Sequence, residues 1–417
     1  MGCEGSAVQI CPSRPFIQPS ALSRQHSERD LPTPEAPQAD GTSTLLPFDR
    51  QHCRIRAALS GVHSLTRFAS TAAVVRCGFV KRIPSLDGLR AISISLVVAG
   101  HLSKAGPLPK FMANYAGTGV RIFFVISGYL ITTILLNEHL QTSTINLRQF
   151  YIRRAYRILP AAAVFMLFAL VMYWHELRWY DIGAMLLYVA NFDQARPWMV
   201  SHLWSLGVEE QFYFLWPSVL RKWYRHRIGI LLGIIALAPI YSAAGYHFKI
   251  AGGGYGTFPA VADNLAIGCL LAIFASRIPK ISWWAVLLML LAVILIPHYP
   301  ANTATRTLFM LFVLWPILHC SIAGLVLHVI QSPYRMLNLA PVVWLGRISY
   351  SLYLWQEPFF FNPSRQPAYK LLLGVALACL SYYLVEQPVL RLRERKATTV
   401  PSKSPETALV MCEAVPS

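Results

Sequence analysis

From residue 83 onward the chain is a succession of apolar runs, each about long enough to cross a bilayer. They fall at about 88–103, 118–137, 158–174, 204–220, 228–246, 258–275, 283–297, 307–329, 342–361 and 368–386. A spanning helix needs roughly 20 mostly apolar residues, because each residue rises about 1.5 Å through about 30 Å of hydrocarbon. The expected fold is therefore all-α: a polytopic membrane protein of about ten transmembrane helices. Composition agrees. Hydrophobic residues make up 55% of the 417 positions and charged residues 13%, where a soluble domain carries about 25% charge. Mean hydropathy is +0.45. These values exclude a disordered protein, a coiled coil and an ordinary cytosolic enzyme.

The net charge of +18 has to be located before it is interpreted. Residues 1–80 hold 8 Lys and Arg against 6 Asp and Glu, so almost all of the excess lies among the apolar runs. A nucleic-acid binder would show a basic soluble face. Here the basic residues occupy short loops, as membrane orientation requires, and no nucleic-acid partner is expected. They also settle whether a weaker run at 182–192 spans. If it does not, Arg148–Arg157, Arg221–Arg227, Arg277 with Lys280, Arg335 with Arg347, and Arg391–Lys396 all lie on the cytoplasmic side. Scattered single charges such as Arg178, Arg196 and Arg306 lie outside. If it spans, every later loop flips and Arg221–Arg227 faces outward, against the positive-inside rule. The reading is ten helices, both termini cytoplasmic, with 175–203 an external loop or re-entrant segment. No internal repeat is visible, which weakens an inverted-repeat transporter.

The expected domains are a disordered N-terminal extension (1–80), a membrane domain (81–391) and a disordered cytoplasmic tail (392–417). Residues 1–80 are rich in Pro, Ser, Gln and Arg and lack the apolar core of a secretory signal. The opening Met1-Gly2-Cys3-Glu4-Gly5-Ser6 matches a loose myristoylation pattern that nothing else supports. Eight cysteines form no CxxC and no ligand spacing, so neither a disulfide framework nor a metal site is expected.

Several polar residues sit where packing alone does not explain them. Arg90 and His101 are eleven residues apart, roughly 20° past three full helical turns, so they share one face about 16 Å apart along the axis. An ionisable residue at depth is a functional candidate, although Arg90 could snorkel and His101 cap its helix. The second run reads Gly117-Thr118-Gly119-Val120-Arg121-Ile122-Phe123-Phe124-Val125-Ile126-Ser127-Gly128-Tyr129, with small residues that permit close helix approach. Next comes Phe150-Tyr151-Ile152-Arg153-Arg154-Ala155-Tyr156-Arg157-Ile158-Leu159-Pro160. If helical, Arg153 with Arg157, or Arg154 with Arg157, share a face. Such a fork suits a phosphorylated ligand; the alternative is the orientation signal itself, with anionic lipid. The fourth run contains Ser201-His202-Leu203-Trp204-Ser205-Leu206-Gly207-Val208-Glu209-Glu210-Gln211. Adjacent helical residues point about 100° apart, so at most one of the two carboxylates faces a given site. Pairing with Arg121 is the structural alternative.

With these residues assembled, the sequence resembles the acyltransferase-3 family, the integral-membrane O-acyltransferases of bacterial surface polysaccharides and related acceptors. The resemblance runs from about Ile83 to Arg391. It rests on LDGLRAISISLVVAGH, GVRIFFVISGYLIT, FYIRRAYRILP, SHLWSLGVEEQFYFLWP, GRISYSLYLWQEP and VEQP, in that order. It implies ten helices around an intramembrane tunnel, a cytoplasmic acyl-CoA donor, and an acceptor reached from the other side. His101 and Arg90 match the family's essential His and Arg, Arg154 and Arg157 its Arg-x-x-Arg motif, and Glu210 its acidic motif. One departure is Gln356, where many members carry His after Tyr-Leu-Trp, so that His's role cannot be carried over. Only about 25 residues follow Arg391, so any second step on the acceptor is expected from another protein.

The expected activity is transfer of an acyl group, acetyl in the first instance, from acyl-CoA to a hydroxyl of a cell-surface polysaccharide or another glycan or lipid-linked acceptor. The residues expected at the chemical step are His101, Glu210 and Arg90. His101 is the natural base near neutral pH, and Glu210 would orient its ring or stabilise its charge. Arg153, Arg154 and Arg157 are expected at the donor phosphates, with Ser127 a candidate oxyanion stabiliser. Whether His101 forms an acyl-enzyme or acts only as base stays open. No tightly bound cofactor is expected; the partners are acyl-CoA, the acceptor and membrane lipids, in a bacterial inner membrane. The alternatives are a multi-pass transporter or flippase, which would not consume acyl-CoA, and a non-catalytic scaffold.

Overall fold

The computed structural model describes residues 84–105, 108–193, 195–248, 256–360 and 368–398. The expected N-terminal extension 1–80 lies outside the described residues, as does 399–417. Within them all regular structure is helical and no strand occurs. Six helices are long and apolar enough to cross a membrane: Pro84–Lys104, Lys110–Thr142, Leu147–Met172, Tyr224–His247, Ala304–Gln331 and Tyr369–Arg395. Phe258–Phe274 and Trp283–His298 are apolar but shorter. Two more have the length but not the composition. These are α5 (Leu203–Lys222) and α11 (Ala340–Phe360). The first carries Glu209, Glu210 and Gln211 in mid-run; the second carries Arg347, Gln356 and Glu357. Their polar residues serve the interior rather than the lipid.

The first crossing helix, α1, runs Pro84–Ala105, and α2 runs Tyr115–Thr142. The helix α3, Leu147–Met172, starts where Asn146 accepts a hydrogen bond from the Gln149 amide at 3.1 Å, a side-chain N-cap. It therefore contains the whole basic motif 150–160, which sits in a continuous helix rather than a loop. The short α4, Trp179–Leu186, has eight residues, about 12 Å, and cannot cross a bilayer. The weak run at 182–192 breaks there, with Tyr188 at φ +55° and a single turn at Ala190–Phe192. Beyond α5 come α6 (Arg227–His247), α7 (Phe258–Phe274), α8 (Trp283–Leu295), α9 (Ala304–Phe309) and α10 (Trp315–Gln331), the last two joined through a π turn. After α11, α12 (Ala368–Leu380) passes through a second π turn at Ser381–Glu386 into α13 (Gln387–Thr398). The expected tail boundary at 391 thus falls inside α13.

Lipid offers no water-exclusion force between helices, so they associate by close van der Waals contact across small residues. Gly128 of α2 and Gly268 of α7 face each other's backbones: a Cβ on Gly128 would collide with the Leu265 carbonyl, and one on Gly268 with the Val125 carbonyl. Gly346 of α11 lies against the Asp87 carbonyl of α1 in the same way. These contacts put α2 at the centre, 67% buried along its apolar window, against 22% for α6. The helix α8 turns Trp284, Leu287, Leu288 and Leu291 outward.

Candidate active site

Five helices enclose a cavity whose wall is basic at several points. Arg90 comes from α1, Arg154 and Arg157 from α3, and Arg347 from α11. Apolar wall comes from Val120, Phe123 and Phe124 of α2, Ile158 of α3 and Leu206 of α5. One carboxylate enters, Glu209 of α5. Its Oε1 accepts from Ser127 Oγ at 3.0 Å, and the Tyr213 hydroxyl lies 3.1 Å from both its Oε2 and Ser127 Oγ. The Arg154 guanidinium rests over the Tyr213 ring at 5.1 Å and the Phe150 ring at 5.8 Å. Cation–π contact of this kind fixes a guanidinium without consuming its hydrogen-bond fork. Arg90 lies 3.7 Å from Asp87.

A second polar centre lies farther along the same helices. His101 Nδ1 meets Gln356 Oε1 at 2.6 Å. The neighbouring residue, Glu357, holds His202: its Oε2 accepts from the His202 backbone N–H and from Nδ1, the latter at 2.6 Å, while Ser201 Oγ donates to Oε1 at 2.8 Å. Gln356, Glu357 and His202 are all buried. In each ring the Nδ1–H donates to an acceptor oxygen, so in the neutral imidazole the basic lone pair sits on Nε2. His202 Nε2 is buried with no hydrogen-bond partner in the protein. A π turn and the segment around α4 support these elements. The π turn at 381–386 presents Glu386, which accepts from Ser351 at 3.2 Å. The segment around α4 docks on α5 through Gln211, whose Nε2 donates to the Tyr188 carbonyl at 2.9 Å and to Asn191 Oδ1 at 2.8 Å.

The structure brings together Arg90, Arg154 and Arg157, and places His101 beyond them on the Arg90 helix. Three expectations are met differently. Arg153 turns away from the cavity and pairs with Glu138 at 3.3 Å, so of the two forks allowed by the helix, Arg154 with Arg157 faces inward. Glu210 does not orient His101; Gln356 occupies that nitrogen, and Glu210 Oε1 is buried without a hydrogen-bond partner. The 100° step between neighbours points Glu209 into the cavity instead. Ser127 is engaged with Glu209 in the arginine cavity. Arg121 lies over the Trp315 ring at 4.8 Å and acts electrostatically on Asp263, which sits 2.9 Å from His319.

Sequence reasoning missed Glu209, His202, Arg347, Tyr353, Gln356 and Glu357 as site residues. A signal existed for Gln356 and Glu357, two polar residues inside an apolar run. No group of three or more His, Cys, Asp or Glu side chains among the described residues could hold a metal ion.

Comparison with known proteins places the chain in a family. Residues 83–385 match the profile of an acyltransferase domain family. The chain is 30% identical over 386 residues to the Bacillus subtilis (strain 168) protein named Putative peptidoglycan O-acetyltransferase YrhL, covering 77% of this chain and 59% of that one. It is 29% identical over 362 residues to Peptidoglycan O-acetyltransferase OatA of Listeria monocytogenes serovar 1/2a, covering 74% of this chain and 56% of that one. The chain thus spans a little over half the length of these relatives. No solved structure matches it. On a profile match covering nearly the whole described membrane region, the chain belongs to the acyltransferase-3 family of membrane acyltransferases.

Proposed function

We propose that this protein transfers an acetyl group from acetyl-CoA on the cytoplasmic side of a bacterial plasma membrane to a hydroxyl of a cell-surface glycan. The observation that carries the reading is the arginine cavity with a histidine beyond it on the same helix. Arg154, Arg157, Arg90 and Arg347 supply guanidinium groups suited to the donor's phosphates. His101 lies about 16 Å farther along α1, where the thioester end of an extended donor would arrive. There its Nε2 takes the proton of the attacking hydroxyl and returns it to the leaving thiolate. The O–H and C–S bonds break, the ester C–O and the thiol S–H form, and His101 ends as it began. Gln356 holds the ring in the tautomer this requires. The topology that accompanies the reading has ten spans, α5 and α11 included, with both termini on the inner face.

Peptidoglycan is the acceptor suggested by the names of the relatives. The test is CoA release from acetyl-CoA by the full-length protein in nanodiscs, with and without peptidoglycan fragments, followed by mass spectrometry of the glycan. Acetylated glycan with His101-dependent CoA release supports the reading. No release from acetyl-CoA by an intact protein overturns it.

A further inference from the structure

Three helices present the same two layers in order. The helix α1 carries Arg90 at the cavity and His101 beyond it. The helix α5 carries Glu209 at the cavity, with His202 at its N-cap two turns away. The helix α11 carries Arg347 at the cavity and Gln356 and Glu357 beyond. Between the layers, on α5 and α11, stand Ser205 and Tyr353. Their hydroxyl oxygens are 2.5 Å apart, and the Tyr353 hydroxyl also donates to the His202 carbonyl at 3.0 Å. The Tyr353 ring meets the Phe123 ring of α2 edge-on, with centroids 6.5 Å apart, and both rings line the cavity. Tyr353 and Ser205 are themselves buried.

We propose that the Ser205–Tyr353 crossbar, faced by Phe123, sets the length of acyl chain that can pass from the arginine cavity to His101, admitting acetyl and excluding long chains. The proposal rests on the acyl-CoA reading above. Its physical basis is the anchoring of the ring. Swinging Tyr353 aside would strip a buried hydroxyl of its partners, which is costly. Protein interiors are packed too densely to absorb a displaced aromatic ring. A two-carbon group makes the smallest demand on space beside the ring, whereas a long chain would need the volume that the ring itself holds.

The experiment measures CoA release by the full-length protein in nanodiscs from acetyl-, butyryl- and octanoyl-CoA. The wild type should favour acetyl over octanoyl by at least tenfold. Tyr353→Ala and Phe123→Ala should each lower that ratio at least tenfold, through a rise with octanoyl-CoA. Should Tyr353→Ala fail to fold, Phe123→Ala and Tyr353→Phe carry the test; Tyr353→Phe keeps the ring, loses its anchors and should lower the ratio at least threefold. A wild type indifferent to chain length, or active variants with an unchanged ratio, would overturn the selector alone. No CoA release from any of the three thioesters would overturn the acyl-CoA reading itself.

Discussion

His101 Nδ1 and Gln356 Oε1 are 2.6 Å apart, joining the first long helix to the eleventh across 255 residues of sequence. The contact determines which ring nitrogen of His101 carries its proton. His101→Ala should abolish transfer while the protein still inserts and binds acyl-CoA. A general base contributes about 10²–10⁴-fold, so a loss within that range fits proton transfer. A larger loss favours a covalent acyl-histidine step. His101→Gln cannot take up the proton and should be nearly as inactive as Ala. Near-wild-type turnover of the Gln variant would reduce His101 to a structural role. Gln356→Leu removes the ring's anchor and should lower turnover while leaving donor binding in place.

Of the three arginines at 153–157 on α3, the two inward ones should matter for donor affinity and the outward one should not. Arg154→Ala or Arg157→Ala should weaken acyl-CoA binding by about 1–3 kcal/mol each, the range for hydrogen bonds to charged groups. Lys at either position should restore only part, because it lacks the planar fork. Arg153→Ala, which breaks the Glu138 contact, should leave donor affinity within experimental error. Equilibrium binding of a non-hydrolysable acetyl-CoA analogue checks all three. Equal losses at Arg153 and Arg154 would return the cluster to a membrane-orientation signal.

The adjacent glutamates should separate in the same manner. Glu209→Gln disturbs the Ser127 and Tyr213 contacts under Arg154 and should lower CoA release at least tenfold. Glu210→Gln replaces a carboxylate that has a buried oxygen without a hydrogen-bond partner. It should leave thermal stability unchanged or raised, since a buried carboxylate oxygen left without a hydrogen bond is costly. A larger activity loss at Glu210 than at Glu209 would give the catalytic carboxylate role to Glu210.

Gly268→Ala would place a methyl against the Val125 carbonyl. Overpacking costs about 1–3 kcal/mol, and here two helix backbones must part. Thermal unfolding in detergent should show a lower midpoint, whereas Gly229→Ala, with open space around it, should not.

Outside the crossing helices, Arg178 Nη2 lies 2.6 Å from Asp181 Oδ1 and 3.1 Å from Asp193 Oδ2. Burial works to raise the Asp181 carboxyl, but hydrogen bonds from Arg178 outweigh it and hold it below the usual range. Burial pushes Asp193 up, as does its contact with Asp181. A depressed carboxyl contributes stability above its unfolded pKa and loses it as pH falls through the folded one. Below about pH 4, the ordinary Asp value, protonation of Asp181 should therefore loosen the Arg178 contacts that tie this segment together. Hydrogen exchange of peptides within 179–200 should accelerate as pH falls below about 4, after correction for intrinsic rates. Unchanged protection would contradict this.

The sequence by itself determined that the protein is a helical membrane protein, because apolar runs of this length need their backbone hydrogen bonds satisfied internally wherever the chain goes. It also determined that Arg90 and His101 share a face and that Arg154 can pair with Arg157, since both follow from the fixed pitch of one helix. It named 182–192 as a run that stops short, and α4 is too short to cross. What it left open were relationships between helices. Periodicity says that Glu209 and Glu210 point about 100° apart, but only the packing of α5 against α2 and α3 decides which one enters the cavity. Arg153 or Arg154 was undecided for the same reason. Gln356 acquires a role only because glycine contacts such as Gly346 against Asp87 bring α11 up to α1. A helix's own geometry is local and legible in one dimension. The rotation and approach of neighbouring helices depend on side-chain volumes far apart in the chain, and those are settled only when the bundle closes.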